Sequence, residues 1–310
     1  MRRIVENARG VIFSILVTVV TLIGAVPLLP VGLVKLLLPV APVRRVADPI
    51  LLGIARYWAR AFNWVMMTTA RADLELHNSV PPNPDGRYVL ISNHQCWADV
   101  MLLVHVLDRE GLPFPRFFIK EVLRWLPIVG FACWVLDFPF MKRYSKAQLA
   151  KNPSLRGKDM ETTKRSCEVF RRVPATIVNY AEGTRSTAPK RAAQNSPYRL
   201  MLRPKAGGTA FTLQAMDDVL DGVLDMTVAY TGSPEPTFWD FVCGRIPHVY
   251  IKLRPLEVPA HLRGGDYQND PAFREAFKAW LEAIWAEKDE EVASRQDPSA
   301  KAGIHTDEAA

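Results

Sequence analysis

Cysteine and histidine are sparse in this chain of 310 residues, and neither gathers into a cluster. The four cysteines, Cys96, Cys133, Cys167 and Cys243, include no CxxC pair. That argues against a zinc site and a disulfide framework, and fits a reducing compartment. Of the histidines, His77, His105, His248, His261 and His305 lack a partner at a telling spacing, so a structural or exposed place is the simplest reading for each. There is no internal repeat and no collagen-like or low-complexity bias. The net charge of +7 suits an anionic partner without choosing between nucleic acid, anionic lipid and a phosphorylated substrate. The basic residues are not interleaved with a recognisable nucleic-acid reading motif, which sets nucleic acid aside.

Charge is missing from one place above all. Val11 to Val40 is an apolar run whose one charge is Lys35. A secretory signal has a shorter apolar region and a small-residue cleavage site, so membrane residence is the better reading. Pro27, Pro30 and Pro39 interrupt the run. The unbroken piece Val11 to Val26 amounts to ~24 Å of helix, short of a ~30 Å hydrocarbon core. Basic residues flank both ends, Arg2, Arg3 and Arg9 before and Lys35, Arg44 and Arg45 after, and positive charge tends to stay cytoplasmic. The spacing therefore predicts a helix, a bend at Pro27-Leu28-Leu29-Pro30 and a second short apolar piece, forming a re-entrant hairpin. One or two full spans, or a soluble core helix pair, are the alternatives. Residues 48–70 read as an amphipathic helix, lying at the headgroup layer or packed on the main domain.

From Asp73 the pattern becomes an α/β alternation. Strands are expected at ADLELH, RYVLIS, RFFIK, ATIVNY, DMTVAY and HVYIKLRPLEV. Helices are expected at VMLLVHVLDRE, DMETTKRSCEVFRR, AGGTAFTLQAM and PAFREAFKAWLEAIWAEKDEE. Trp125 to Leu136 is apolar but too short to span, and suits core or interfacial packing. The domain reading is residues 1–70 as a membrane-associated helical segment, 71–290 as an α/β domain and 291–310 as a polar, disordered tail. The fold class is α/β, a mixed sheet flanked by helices behind an N-terminal membrane-associated hairpin.

Two constellations carry chemistry. Strand RYVLIS runs into Asn93-His94-Gln95-Cys96-Trp97-Ala98-Asp99 and then a helix. On one regular helix His94 and Asp99 would lie ~140° apart. They meet if His94 sits in the loop and Asp99 on the first helical turn with the chain folding back. The carboxylate then fixes the imidazole tautomer and leaves the other nitrogen to take a proton. On spacing alone the pair is weak evidence, and a structural role such as a cap by Asp99 is the better reading. Cys96 could be a nucleophile or inert packing, and a short tight loop favours packing. The second constellation, Ala181-Glu182-Gly183-Thr184-Arg185-Ser186, follows strand ATIVNY. Backbone N–H groups at such a turn can hold an oxyanion or phosphate, and Arg185 adds paired hydrogen-bond donors. Standing alone, the motif reads better as a plain strand-to-turn segment.

Together these residues resemble the glycerolipid acyltransferase family, which includes the 1-acylglycerol-3-phosphate acyltransferases. His94-x4-Asp99 is similar to its first motif, Phe140-Met-Lys-Arg143 after Lys120, Pro127 and Gly130 to its second, and Glu182-Gly183-Thr184-Arg185 to its third. Tyr180-Ala181 stand where the family has Phe-Pro, and Asp225-Met-Thr-Val-Ala-Tyr230 replaces its usual fourth motif. Together with Leu202-Arg203-Pro204-Lys205-Ala206-Gly207, this makes the chain more similar to the branch with the lysocardiolipin-type acyltransferases and bacterial inner-membrane relatives.

The resemblance implies direct acyl transfer from acyl-CoA or acyl-ACP to a lysophospholipid hydroxyl, with no acyl-enzyme, no metal and no resident cofactor. His94 would be the general base and Asp99 its partner. Glu182 and Gly183 would position the oxyanion or acceptor, and Arg143, Arg185 and Lys120 would bind phosphate. Lys120 reads equally well as a surface lysine. The implied place is a bacterial inner membrane, with the site on the cytoplasmic side. A membrane-attached thioesterase and a non-catalytic lipid-binding scaffold are the competing readings. Oligomeric state stays open.

Overall fold

Two long helices lead the chain, α1 (Arg2–Leu37) and α2 (Ala41–Ala70). The computed structural model describes residues 1–138, 140–141, 161, 167–168, 170–171 and 173–296. The helices run antiparallel: Phe13 meets Phe62, Gly24 faces Trp58 and Lys35 pairs with Asp48. The bend expected at Pro27 to Pro30 is absent, because both prolines lie inside α1 and the chain turns back at residues 38–40.

A proline inside a helix removes one hydrogen bond and costs about 3 kcal/mol. Packing beyond the prolines offsets that loss. Leu28 is fully buried against Ala47, Leu51 and Val135. Gly32 lets α4 (Val129–Val135) approach so closely that a Cβ there would lie 2.8 Å from Phe131 and 2.9 Å from Val135. Lys35 Nζ, 4% exposed, donates to the Val135 carbonyl at 2.7 Å and pairs with Asp48 at 2.8 Å and Asp137 at 2.7 Å. These contacts arise between segments distant in sequence, so the proline pattern gave no sign of them.

α1 is seated at its other end as well. Arg245 donates to Glu6 at 3.2 Å and also to Asn7. Gly10 lies against Trp239 and Cys243, and Phe13 packs edge-on to Phe238 at 5.5 Å, all beside α7 (Phe238–Val242). Glu6, Gly10, Phe13, Ala25, Leu28, Gly32 and Lys35 are buried, with Val17 and Val20 partly so. One stripe at helical spacing therefore faces the body along the whole helix. The opposite face exposes Ile15, Val19, Ile23, Val26, Leu33 and Leu37. Among the described residues, α1 is the one helix long and apolar enough to cross a membrane.

The six-stranded sheet has the order β1-β8-β7-β2-β6-β3. Its strands are β1 (Asp73–Asn78), β2 (Arg87–Ser92), β3 (Pro115–Phe117), β6 (Ala175–Tyr180), β7 (Gly222–Tyr230) and β8 (His248–Leu256). All neighbours are parallel except β7 and β8. The strand expected at RFFIK divides. β3 ends at Phe117, and Ile119–Lys120 forms β4, which pairs with β5 (Phe140–Met141) in a separate small sheet.

Helices cover both faces. Leu90 of β2 packs with Leu102, Leu103 and Val106 of α3 (Ala98–Arg109) and with Val65 and Met66 of α2. Val89 and Ile91 point the other way, as strand alternation requires. They meet Ala210 and Leu213 of α6 (Ala206–Met216) and Phe277, Leu281 and Trp285 of α8 (Pro271–Gln296). α8 continues to Gln296, so residues 291–296, assigned from sequence to a polar tail, are helical and bury Val292. Residues 297–310, and most of the helix expected at DMETTKRSCEVFRR, lie outside the described residues. In the apolar segment 125–136, Ala132 and Val135 pack inward while Val122, Trp125, Leu126 and Trp134 around them stay exposed.

Strand register positions the site. Ser92, the last residue of β2, lies level with Tyr180 and with Met226. β7 runs on to Tyr230, about 13 Å beyond at ~3.3 Å per residue. That overhang pairs with β8 alone, Val228 opposite Ile251 and Tyr230 opposite Val249.

Candidate active site

The loop after β2 is pinned to the overhang first. Asn93 Nδ2 donates to the Val228 carbonyl at 2.8 Å, and its Oδ1 accepts from the Val228 N–H at 3.0 Å. The side-chain amide thus takes the place of one more residue of a neighbouring strand. The chain then folds back, and Asp99 comes to lie on the first turn of α3. Asp99 Oδ2 accepts from the Gln95 N–H at 2.7 Å, the Cys96 N–H at 2.9 Å and His94 Nδ1 at 2.8 Å. Its Oδ1 accepts from the Tyr230 hydroxyl.

This is the fold-back that the five-residue spacing required, and it makes Asp99 both loop cap and imidazole partner. Because a carboxylate only accepts, Nδ1 carries the proton and Nε2 is left for a substrate proton. Asp99 is 1% exposed and His94 8%. The imidazole stacks on Tyr180, with centroids 4.2 Å apart and planes at 21°, and meets the edge of Trp97.

The turn after β6 holds the same loop from the other side. Glu182 is fully buried. Its Oε1 accepts from the His94 N–H at 3.2 Å and its Oε2 from the Leu202 N–H at 2.9 Å. The Ser186 N–H donates to the His94 carbonyl at 2.7 Å. His94 is therefore gripped at both main-chain groups by the second constellation. Burial pushes the Glu182 carboxyl up to about 8, against two N–H donors that favour its charged form.

Gly183 has φ +73°, a left-handed conformation that favours glycine, and its N–H donates to the Tyr180 carbonyl at 2.8 Å. The Glu182-Gly183 turn was expected to offer N–H groups or a side chain to substrate. In the structure the Gly183 N–H closes the turn, and the Glu182 carboxylate serves the main chain. Turn hydrogen bonds of this kind carry no signature in the residue types alone.

The remaining candidates separate. The Arg185 guanidinium lies 5.1 Å over the Trp97 ring, and Trp97 is 53% exposed, so this cation sits at the open side of His94. Lys120 is exposed at the end of β4. Arg143 lies outside the described residues. Cys96 is fully buried, and burial, reinforced by the charge of Asp99, pushes its thiol up to about 12. A thiol so held stays protonated at neutral pH, which favours packing over nucleophilic attack. Among the described residues no group of three or more His, Cys, Asp or Glu could hold a metal ion. Sequence reasoning did not single out Tyr180 or Tyr230, although each is an aromatic at the carboxyl end of a strand beside the motifs.

A family model described as Acyltransferase matches residues 73–231, from the start of β1 to just beyond Tyr230. That is more than half of the chain and takes in His94, Asp99, Glu182 and Arg185. The chain belongs to the acyltransferase family. The 2-acyl-1-lysophosphatidylinositol acyltransferase of Saccharomyces cerevisiae is 25% identical over 236 residues, covering 65% of this chain and 59% of the relative. The mouse 1-acyl-sn-glycerol-3-phosphate acyltransferase epsilon is 24% identical over 234 residues, covering 69% and 59%. The chain thus spans about three fifths of the length of these curated relatives. The crystal structure of the 1-acyl-sn-glycerophosphate acyltransferase PlsC from Thermotoga maritima superposes with a TM-score of 0.55 at 18% identity, covering 95% of this chain and all of that one. That likeness is one of fold, and it extends through the N-terminal helices as well as the sheet.

Proposed function

We propose that this acyltransferase-family chain moves a fatty acyl group from a thioester to the hydroxyl of a lysophospholipid, 1-acylglycerol-3-phosphate or a relative of it. The observation that carries the reading is the His94–Asp99 pair, 2.8 Å apart and locked into the Glu182 turn at the carboxyl ends of parallel strands. His94 Nε2 takes the proton from the acceptor hydroxyl as its oxygen bonds to the thioester carbonyl carbon. The C–S bond then breaks, and the thiolate leaves with the proton returned by the imidazolium. Asp99 orients the ring and stabilises its charged form. Arg185 receives the acceptor phosphate, as would Arg143 and, more peripherally, Lys120. The donor is acyl-CoA or acyl-ACP, a co-substrate, and the mechanism calls for no resident cofactor or metal.

The deciding assay gives the purified protein in detergent one acyl thioester and a panel of lysophospholipids. New diacyl phospholipid is the expected product. Free fatty acid without it would favour a thioesterase instead. Arg185→Ala is expected to raise the acceptor KM by about 10–100-fold, the worth of one charge-assisted contact, with kcat little changed. A loss mainly in kcat would move Arg185 to the reacting carbonyl.

The protein is read as lying on a bilayer, with its thioester-facing side in a reducing compartment such as the cytoplasmic side of a bacterial inner membrane. Both ends of α1 pack on the same body, near Trp239 and near Val135, and between Val11 and Leu37 its exposed surface is apolar apart from Ser14 and Thr18. These contacts support a helix lying in the membrane plane rather than crossing it. Spin labels at Ile12, Val19, Val26 and Leu33 should then report similar depths. A depth profile that rises to the bilayer centre and falls again would sink the in-plane reading.

A further inference from the structure

We propose that Tyr230 is a positioning residue: its hydroxyl on Asp99 sets the orientation and basicity of the His94–Asp99 pair, so that the overhanging end of β7 tunes the proton transfer. The proposal rests on His94 being the base. It begins from how the donors are divided on Asp99. Three of them, His94 Nδ1 and the N–H groups of Gln95 and Cys96, converge on Oδ2, whereas Tyr230 holds Oδ1. With a donor on each oxygen, the carboxylate plane cannot turn about its Cβ–Cγ bond without breaking buried hydrogen bonds. Removing the Oδ1 donor would free that rotation and let the imidazole follow.

Tyr230 is itself held firmly. It is fully buried, its main chain lies opposite Val249 in the β7–β8 ladder, and its ring packs edge-on to Phe241 at 6.1 Å. The hydroxyl reaches Asp99 only because β7 outruns β2 at this edge. Val228, on the same overhang, holds Asn93 at the start of the loop. One strand end thus fixes both ends of the segment that carries His94.

The electrostatic consequence has a definite sign. A phenol donating to a carboxylate draws negative charge toward itself, so the carboxylate stabilises a neighbouring imidazolium less than it otherwise would. Tyr230 therefore tempers the pull that Asp99 exerts through the proton on His94 Nδ1. Among the described residues, the other ionisable groups facing the pair are Cys96 in the same loop, Tyr180 and Glu182 on β6 and its turn, and Arg185 beyond them. Lys288 of α8 acts on Glu182. None of these donates to Asp99 Oδ1.

Tyr230→Phe removes the hydroxyl and keeps the ring. The expected result is a kcat lowered about tenfold with the acceptor KM unchanged, as for a lost hydrogen bond to a charged group. In addition, the acid limb of the kcat–pH profile should move to higher pH. The His94 imidazole, followed by 15N NMR in detergent micelles, should titrate at higher pH by the same amount. A packing role alone would lower stability and kcat without moving either titration. Fluorinated tyrosines at position 230 keep the hydroxyl and make it a stronger donor, so they should move both titrations to lower pH, and they decide the matter if Tyr230→Phe does not fold. Titrations coinciding with wild type across the series would overturn the proposal. The NMR titration needs no turnover: a wild type without transferase activity would count against the proposed function, while the shift of His94 would still decide the role of Tyr230.

Discussion

His94→Ala is expected to lower acyl transfer by about 10²–10⁴-fold, the usual worth of a general base, with the protein still folded. The two expectations have separate structural grounds. Activity falls because, among the described residues, no other imidazole is placed on Asp99. The fold persists because two of the ties that hold this residue run through its main chain, from its N–H to Glu182 and from the Ser186 N–H to its carbonyl. Alanine keeps both. Asp99 also remains satisfied, since the N–H groups of Gln95 and Cys96 still occupy Oδ2 and Tyr230 still occupies Oδ1. A steady-state transfer assay beside a thermal melt checks the pair. Transfer within tenfold of wild type would remove His94 from the chemistry.

Glu182→Ala should behave in the opposite way, losing stability first and activity with it. The substitution leaves the N–H groups of His94 and Leu202 buried without acceptors. At about 1–3 kcal/mol for each unsatisfied donor, the loss is ~2–6 kcal/mol, a large part of the ~5–15 kcal/mol that holds a typical domain. Glu182→Gln keeps one acceptor but turns an amide N–H toward the other donor, so an intermediate effect is expected.

The same side chain makes stability depend on pH. Its carboxyl titrates at about 8 in the fold against an ordinary value of 4.5. Between those values the folded protein keeps a proton that the unfolded chain releases, so stability is fully present below the lower value and falls as pH rises through the higher one. Glu182→Gln should flatten that slope. Denaturation midpoints across the window measure both effects, and a Glu182→Ala protein that melts and turns over like wild type would show that the carboxylate ties nothing together.

The contact of His94 with Asp99 was legible because their spacing let them meet only by a particular fold-back, and the chain makes it: His94 in the loop, Asp99 on the first turn of α3. Strand identities near the site were legible from apolar runs, as at RYVLIS and ATIVNY. What the residues could not disclose was register. Tyr230 meets Asp99 only because β7 overhangs β2, and no local pattern encodes how far one strand outruns another. The Gly183 N–H, engaged by Tyr180 within its own turn, was hidden for a related reason, since a glycine reports the conformation it permits and not the acceptor it finds. Pro27 and Pro30 misled in the other direction. Their usual meaning is a helix end, and Leu28, Gly32 and Lys35 overrode it through contacts with α2 and α4.

If α1 lies in the membrane plane as proposed, a helix with both ends on one body would confine the chemistry to a single monolayer. Single-chain lipids are wedge-shaped and favour a curved surface, whereas their two-chain products are closer to cylinders. Moored in this way, the protein would draw its acceptor sideways from the leaflet it rests on and return the product there. It would relax curvature stress and thicken the hydrocarbon on that side alone, leaving any rebalancing of the two leaflets to whatever carries lipids across.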